Sequence, residues 1–96
     1  MSKNVQEVIQ YLTYRKRSVS CGGKNGLLLM LEELGFSYRN SMAGHYVFYH
    51  KKLTNNFQHS INCGHNISKE LKIPYVVQTI NMLKKYQNEL GEENEE

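Results

Sequence analysis

The sequence predicts an α+β fold, a three-stranded antiparallel sheet with helices on one face. Two observations predict it. Apolar residues recur at helical spacing near both ends of the chain, while residues 36 to 63 read as short β-branched and aromatic runs divided by turns. Those runs also follow one another through short connections, for which an antiparallel meander is the simplest path. At 96 residues the chain is one domain, long enough to bury roughly two-thirds of its unfolded surface.

The elements follow in order. Asn4 to about Arg17 is a helix, because Val5, Val8, Ile9 and Leu12 fall at i, i+3, i+4 and i+7. Arg15-Lys16-Arg17 sits at its end, where cations complement the helix dipole. Ser18 to Asn25 is a connector dense in turn residues; Cys21-Gly22-Gly23-Lys24 lacks the spacing of a phosphate-binding loop. Gly26 to Leu34 is the second helix, with Asn25 as N-cap and a core stripe of Leu27, Met30, Leu31 and Leu34. Gly35 takes the position after the cap, and Phe36 supplies the apolar contact of a Schellman motif.

Phe36 to about Asn40 is the first strand, His45 to Lys51 the second and Phe57 to Cys63 the third. In the third, Phe57, His59, Ile61 and Cys63 alternate with Gln58, Ser60 and Asn62, so one face is buried and one wet. Pro74 suits the first turn of a last helix striped by Val76, Ile80, Leu83 and Leu90 and stopped at Gly91. The segment from residue 26 is thus α-β-β-β-α, the layout of a double-stranded-RNA-binding-like fold, preceded by an extra N-terminal helix. Residues 1–91 form the domain, with 1–23 as a helical extension and 24–91 as the core; 92–96 is an acidic tail expected to be disordered.

Charge and cysteines narrow the setting. The net charge is +3, yet four of the nine glutamates lie in the tail, which leaves residues 1–91 at +7. A small body so basic suits a polyanionic partner. No apolar run approaches membrane-spanning length, and the first residues do not form a signal-peptide core, so the expected location is the cytoplasm. Cys21 and Cys63 are then expected as two free thiols.

The candidate chemistry lies in Ala43-Gly44-His45-Tyr46-Val47-Phe48-Tyr49-His50-Lys51-Lys52. Two small residues, which would let another molecule approach, lead into a histidine at the mouth of a strand that ends in two lysines. An imidazole of ordinary pKa, ~6.5, exchanges protons near neutral pH, and lysines attract phosphate. His50, near a turn, reads as a surface residue. His59 shares the face of Phe57 and Ile61 and reads as a core histidine.

Several short stretches together resemble the HicA family of toxins from bacterial toxin-antitoxin pairs. They are Lys24-Asn25, Leu34-Gly35-Phe36, Gly44-His45-Tyr46-Val47-Phe48, Ser60-Ile61-Asn62, Pro74-Tyr75-Val76-Val77-Gln78 and Asn81-Met82-Leu83-Lys84-Lys85-Tyr86. The resemblance covers most of the chain. The family's signature is Gly-Ser-His at the start of the second strand; here the three positions read Ala43-Gly44-His45, so the histidine carries over and the serine does not. The resemblance implies a metal-independent mRNA interferase without cofactors, with His45 as catalytic histidine and a HicB-like antitoxin as partner, monomeric or weakly dimeric when unbound. His65 loosely matches a second family histidine and is the candidate second proton carrier, with His59 behind it.

On this reading Lys51, Lys52, Lys69 and Lys72 hold the RNA backbone, and Tyr46, with Tyr38 or Tyr49, stacks on unpaired bases. Two alternatives stand beside it. The same fold could bind RNA or a protein partner without cutting. Cys21, His59, Cys63 and His65 could be drawn as metal ligands, but their spacing matches no zinc template.

Overall fold

The computed structural model describes residues 4–24, 26–41, 44–53, 57, 59–64, 66 and 68–91. Helix α1 spans Val5–Tyr14 and is followed by a 3₁₀ turn, Lys16–Ser18. Asn4 caps α1 reciprocally with Glu7: the Glu7 N–H donates to Asn4 Oδ1 at 2.9 Å, and the Asn4 N–H donates to Glu7 Oε1 at 3.1 Å. The predicted stripe of Val5, Val8, Ile9 and Leu12 is buried throughout. It belongs to the same core as the rest of the chain, so the N-terminal helix is not an appendage. The helix is shorter than expected, because the backbone leaves α geometry at Arg15 (φ −111°, ψ 24°).

Helix α2 spans Leu27–Glu33 with Gly26 at its N-cap; Asn25, expected there, lies outside the described residues. Its far end is the predicted Schellman motif. Gly35 stands at φ +99°, its N–H donates to the Glu32 carbonyl at 2.9 Å, and the Phe36 N–H donates to the Leu31 carbonyl at 3.0 Å.

Strands β1 (Ser37–Asn40), β2 (His45–Tyr49) and β3 (Ser60–Asn62) form an antiparallel sheet in the order β1-β2-β3, the expected meander. The second strand stops short of Lys51, and His50, on the core side like Tyr46 and Phe48, is buried. This corrects the surface role expected for it: His50 is 4% exposed. Its Nδ1 accepts from the Lys52 N–H at 3.1 Å, so Nε2 carries the hydrogen that it donates to the Leu34 carbonyl at 3.0 Å. That carbonyl is among those a helix end leaves unpaired. The ring also packs edgewise on Phe36, centroids 4.8 Å apart. His50 thus ties the end of β2 to the end of α2. His50→Ala leaves a buried acceptor unpaired and a hole beside Phe36, and is expected to cost about 3 kcal/mol in urea unfolding.

The third strand keeps its predicted alternation but loses its beginning. Phe57 leaves the ladder to pack between the rings of Phe36 (6.0 Å) and Tyr86 (5.4 Å). Helix α3, Ile73–Lys85, carries Pro74 in its first turn as expected. It does not run on to Gly91. Tyr86 leaves helical geometry (φ −105°, ψ 16°) where its ring meets Phe57, and a separate helix α4, Gln87–Gly91, returns buried Leu90 toward α1. Among the described residues no helix is long and apolar enough to cross a membrane.

The cysteines are not free thiols. Cys21 and Cys63 form a disulfide across 42 positions, with Cα atoms 6.1 Å apart. The loop after α1 is brought there by backbone pairing: Ser20 bridges Glu70, and the Leu71 N–H donates to the Val19 carbonyl at 2.6 Å. The ladder bond from the Cys63 N–H to the Gly44 carbonyl, 2.8 Å, holds the other end.

Candidate functional site

Successive strand residues point to opposite faces. Tyr38, Tyr46, Phe48 and Ile61 turn to the core, with Tyr46, Phe48 and Ile61 fully buried. Ser37 and Arg39 of β1, His45, Val47 and Tyr49 of β2, and Ser60 and Asn62 of β3 therefore share the other face. All are exposed or half-exposed. His45 is the first residue of the central strand, with Ser41 beside it on one side (Ser41 N–H to His45 carbonyl, 2.9 Å) and Asn62 on the other.

The ladder bonds fix how close His45 and Asn62 stand. Cys63 N–H bonds the Gly44 carbonyl and Phe48 N–H bonds the His59 carbonyl. With the register His45↔Asn62, Tyr46↔Ile61, Val47↔Ser60, the His45/Asn62 pair is the narrow, non-hydrogen-bonded kind. Side chains of such pairs approach most closely, with Cβ atoms about 4.5–5.5 Å apart. Asn62 Oδ1 accepts the Gly64 N–H at 2.9 Å, which fixes the orientation of the amide.

Beyond Asn62 the chain forms a cavity of about 410 Å³ lined by Asn62, Gly64, Asn66, Lys69, Glu70 and Lys72 among others, two cations and one carboxylate. Gly44 explains how this loop lies so near His45. It stands at φ +84°, and a Cβ there would strike the backbone of Gly64. The small residue before the histidine thus admits the chain's own loop, where the sequence suggested room for another molecule.

The predicted contacts divide into three groups. Lys69 and Lys72 line the same cavity as Asn62, the cross-strand partner of His45. Lys51 and Lys52 stand in the turn past the far end of β2, beyond about 13 Å of strand from His45. Tyr46 cannot serve as a base platform: it is 8% exposed, faces the core and packs on Tyr38 with centroids 5.5 Å apart. The aromatic on the open face is Tyr49, 43% exposed, with the Arg39 guanidinium 5.7 Å from its ring centroid. Arg39 and Asn62 were missed from the sequence. Their faces follow from alternation, but their proximity to Tyr49 and His45 needs the register.

His65 lies outside the described residues. His59 does not serve as its substitute, since it sits on the core side of the sheet, 8% exposed. Its Nε2 lies 2.9 Å from Thr79 Oγ1, whose hydroxyl donates to the Tyr75 carbonyl at 3.0 Å. Both bonds are made when His59 Nε2–H is the donor to the threonine. Burial pushes its pKa down to about 4. The unfolded ring titrates near ~6.5, so stability is full above that pH and falls as pH drops toward about 4, where the unfolded chain binds a proton that the fold excludes. The loss across this window is roughly 3 kcal/mol by the usual conversion. His59→Gln, whose amide does not titrate, is expected to flatten that part of the pH dependence in urea unfolding.

Cys21 and Cys63, two of the four residues considered as metal ligands, are bonded to each other. What remains is an exposed imidazole paired with an oriented amide at one end of a sheet face that carries an arginine–tyrosine pair at the other, and two lysines in the cavity that the amide's residue lines. In comparisons with known proteins, the chain matches no family model, no curated protein and no solved structure.

Proposed function

We propose that the chain is a metal-independent endoribonuclease of the HicA toxin kind, cutting messenger RNA with His45 as general acid or base. The observation that carries this reading is the exposure of His45 on the open sheet face, directly across from Asn62, which itself lines the cavity of Lys69 and Lys72. RNA carries its own nucleophile. The 2′-oxygen attacks the adjacent phosphorus as its proton passes to the imidazole. The bond from phosphorus to the 5′-oxygen breaks, and the leaving oxygen takes a proton from water or from the ring. The products are a 2′,3′-cyclic phosphate and a 5′-hydroxyl. Lys69 and Lys72 attract the backbone and offset its charge. Tyr49 and Arg39 offer a stacking surface to unpaired bases.

A HicB-like antitoxin would oppose this activity by covering the same face. The reading places the protein in the cytoplasm with its message. Thiol reductants there oppose the Cys21–Cys63 bond, so the dithiol form must also hold His45 in place. The alternative, a module that binds without cutting, rests on the Arg39–Tyr49 pair, which serves binding equally well.

The test is to incubate the protein with end-labelled single-stranded RNA in the presence of a chelator, with and without dithiothreitol. Cyclic-phosphate ends under both conditions support the proposal. Binding with no new ends under either condition sinks it and favours the module.

A further inference from the structure

We infer that Asn62 is a second catalytic residue, donating from Nδ2 to a non-bridging phosphate oxygen as negative charge accumulates there. The inference rests on the cleavage reading and adds a named donor to it. Three observations lead to it. Asn62 faces His45 across the narrow pair of the β2–β3 ladder, so a phosphodiester within reach of the imidazole is within reach of the amide. Its Oδ1 is already committed to the Gly64 N–H at 2.9 Å, which leaves the two Nδ2 hydrogens as the end available to a ligand. Asn62 also lines the cavity that Lys69 and Lys72 share with Glu70, so it belongs both to the His45 pair and to the loop that carries the two cations.

The division of work follows from chemistry. Lysine ammoniums are strongly hydrated charges on long flexible stems, and they attract phosphate without fixing it. An amide on a short side chain, held by a hydrogen bond to its own loop, is a donor of fixed direction. Such a donor acts at the pentacoordinate stage, when attack by the 2′-oxygen puts added charge on the non-bridging oxygens. No bond to Asn62 forms or breaks. The 2′-proton goes to His45, the bond from phosphorus to the 5′-oxygen breaks, and water or the protonated ring supplies the leaving group's proton.

Asn62→Asp separates donor from turn. The carboxylate keeps an acceptor for the Gly64 N–H and replaces the NH₂ donor by an oxygen that repels phosphate. The expected result is a cleavage rate lower by about 10²–10³ with an unchanged melting temperature. A second measurement uses RNA with sulfur in place of one or the other non-bridging oxygen. The wild type is expected to be slowed by one stereoisomer much more than by the other, and Asn62→Asp to lose that discrimination. A purely structural role for Asn62 would not alter the stereochemical preference. Equal rates for Asn62→Asp and wild type, or a wild type indifferent to the stereochemistry of sulfur, overturn this inference alone. A wild type that yields no cyclic-phosphate ends overturns the cleavage reading and this inference with it.

Discussion

Removing the Cys21–Cys63 disulfide is expected to lower the stability of the fold by about 4 kcal/mol. The bond closes 42 positions, a loop that contains α2 and all three strands of the described sheet. In the chain-entropy account, a cross-link over ~40 residues restrains the unfolded chain by about that amount at room temperature. Domains of this size are stable by only about 5–15 kcal/mol, so the loss is a large fraction of the whole and corresponds to roughly 15–30 °C in Tm. Cys21→Ala/Cys63→Ala, compared with oxidised and with reduced wild type in urea unfolding, measures it. Alanine is the right replacement at Cys21, which is 1% exposed and would bury an unpaired hydroxyl as serine. Equal midpoints for the double variant and the oxidised protein would show that the bond adds nothing to the fold. The cross-link also has a local effect. Cys63 follows Asn62 and bonds to Gly44, so loosening it loosens both neighbours of His45. Oxidised protein is therefore expected to show slower amide exchange at position 63 than its own reduced form.

The parts of the fold that local chemistry decides were legible in the sequence. The stripe of α1 required only helical periodicity, and all four of its residues are buried. The Gly35 terminus required only a residue at ease with positive φ. The meander followed from short connections. What failed to show depends on residues distant in sequence. No spacing rule pairs Cys21 with Cys63, because the Ser20–Glu70 bridge that aligns them is itself tertiary. The last helix reads as continuous until Phe57 meets Tyr86, and the partner of His50, the end of α2, is likewise distant, although its inward side follows the alternation of Tyr46 and Phe48.

The site divides the same way. His45 was readable as outward-facing, since Phe48 and Tyr46 had to be buried. That same alternation forbids Tyr46 from sharing a face with His45, so expecting both at one ligand contradicted the strand's own period. The strand's length likewise carries Lys51 and Lys52 away from the histidine. Arg39 and Asn62 entered only with the register, which a sequence does not print.

Replacing His45 by alanine is expected to reduce RNA cleavage by about 10²–10⁴ while leaving the fold intact. The structure supports the second half of that expectation directly. His45 is exposed, and its place in the sheet is held by backbone bonds that alanine keeps, including Ser41 N–H to its own carbonyl at 2.9 Å. Exposed substitutions usually change stability by about 0.5 kcal/mol or less. The rate loss corresponds to about 3–5 kcal/mol of transition-state stabilisation, and it should fall on kcat with KM little changed, because the ring acts on a proton and the lysines hold the backbone. Imidazole added to the buffer should restore part of the rate of His45→Ala, since a small molecule can fill the space and accept the proton. It should do nothing for Asn62→Asp, whose imidazole is present and whose missing group is a donor. RNA with a single 2′-deoxy sugar at the cleaved position should resist wild type altogether, more completely than ordinary RNA resists the variant, for the variant lacks only the proton's acceptor and the deoxy substrate lacks the nucleophile. If His45→Ala cuts at the wild-type rate, the chemistry does not run through this ring, and the sheet face is a binding surface whose histidine is one contact among several.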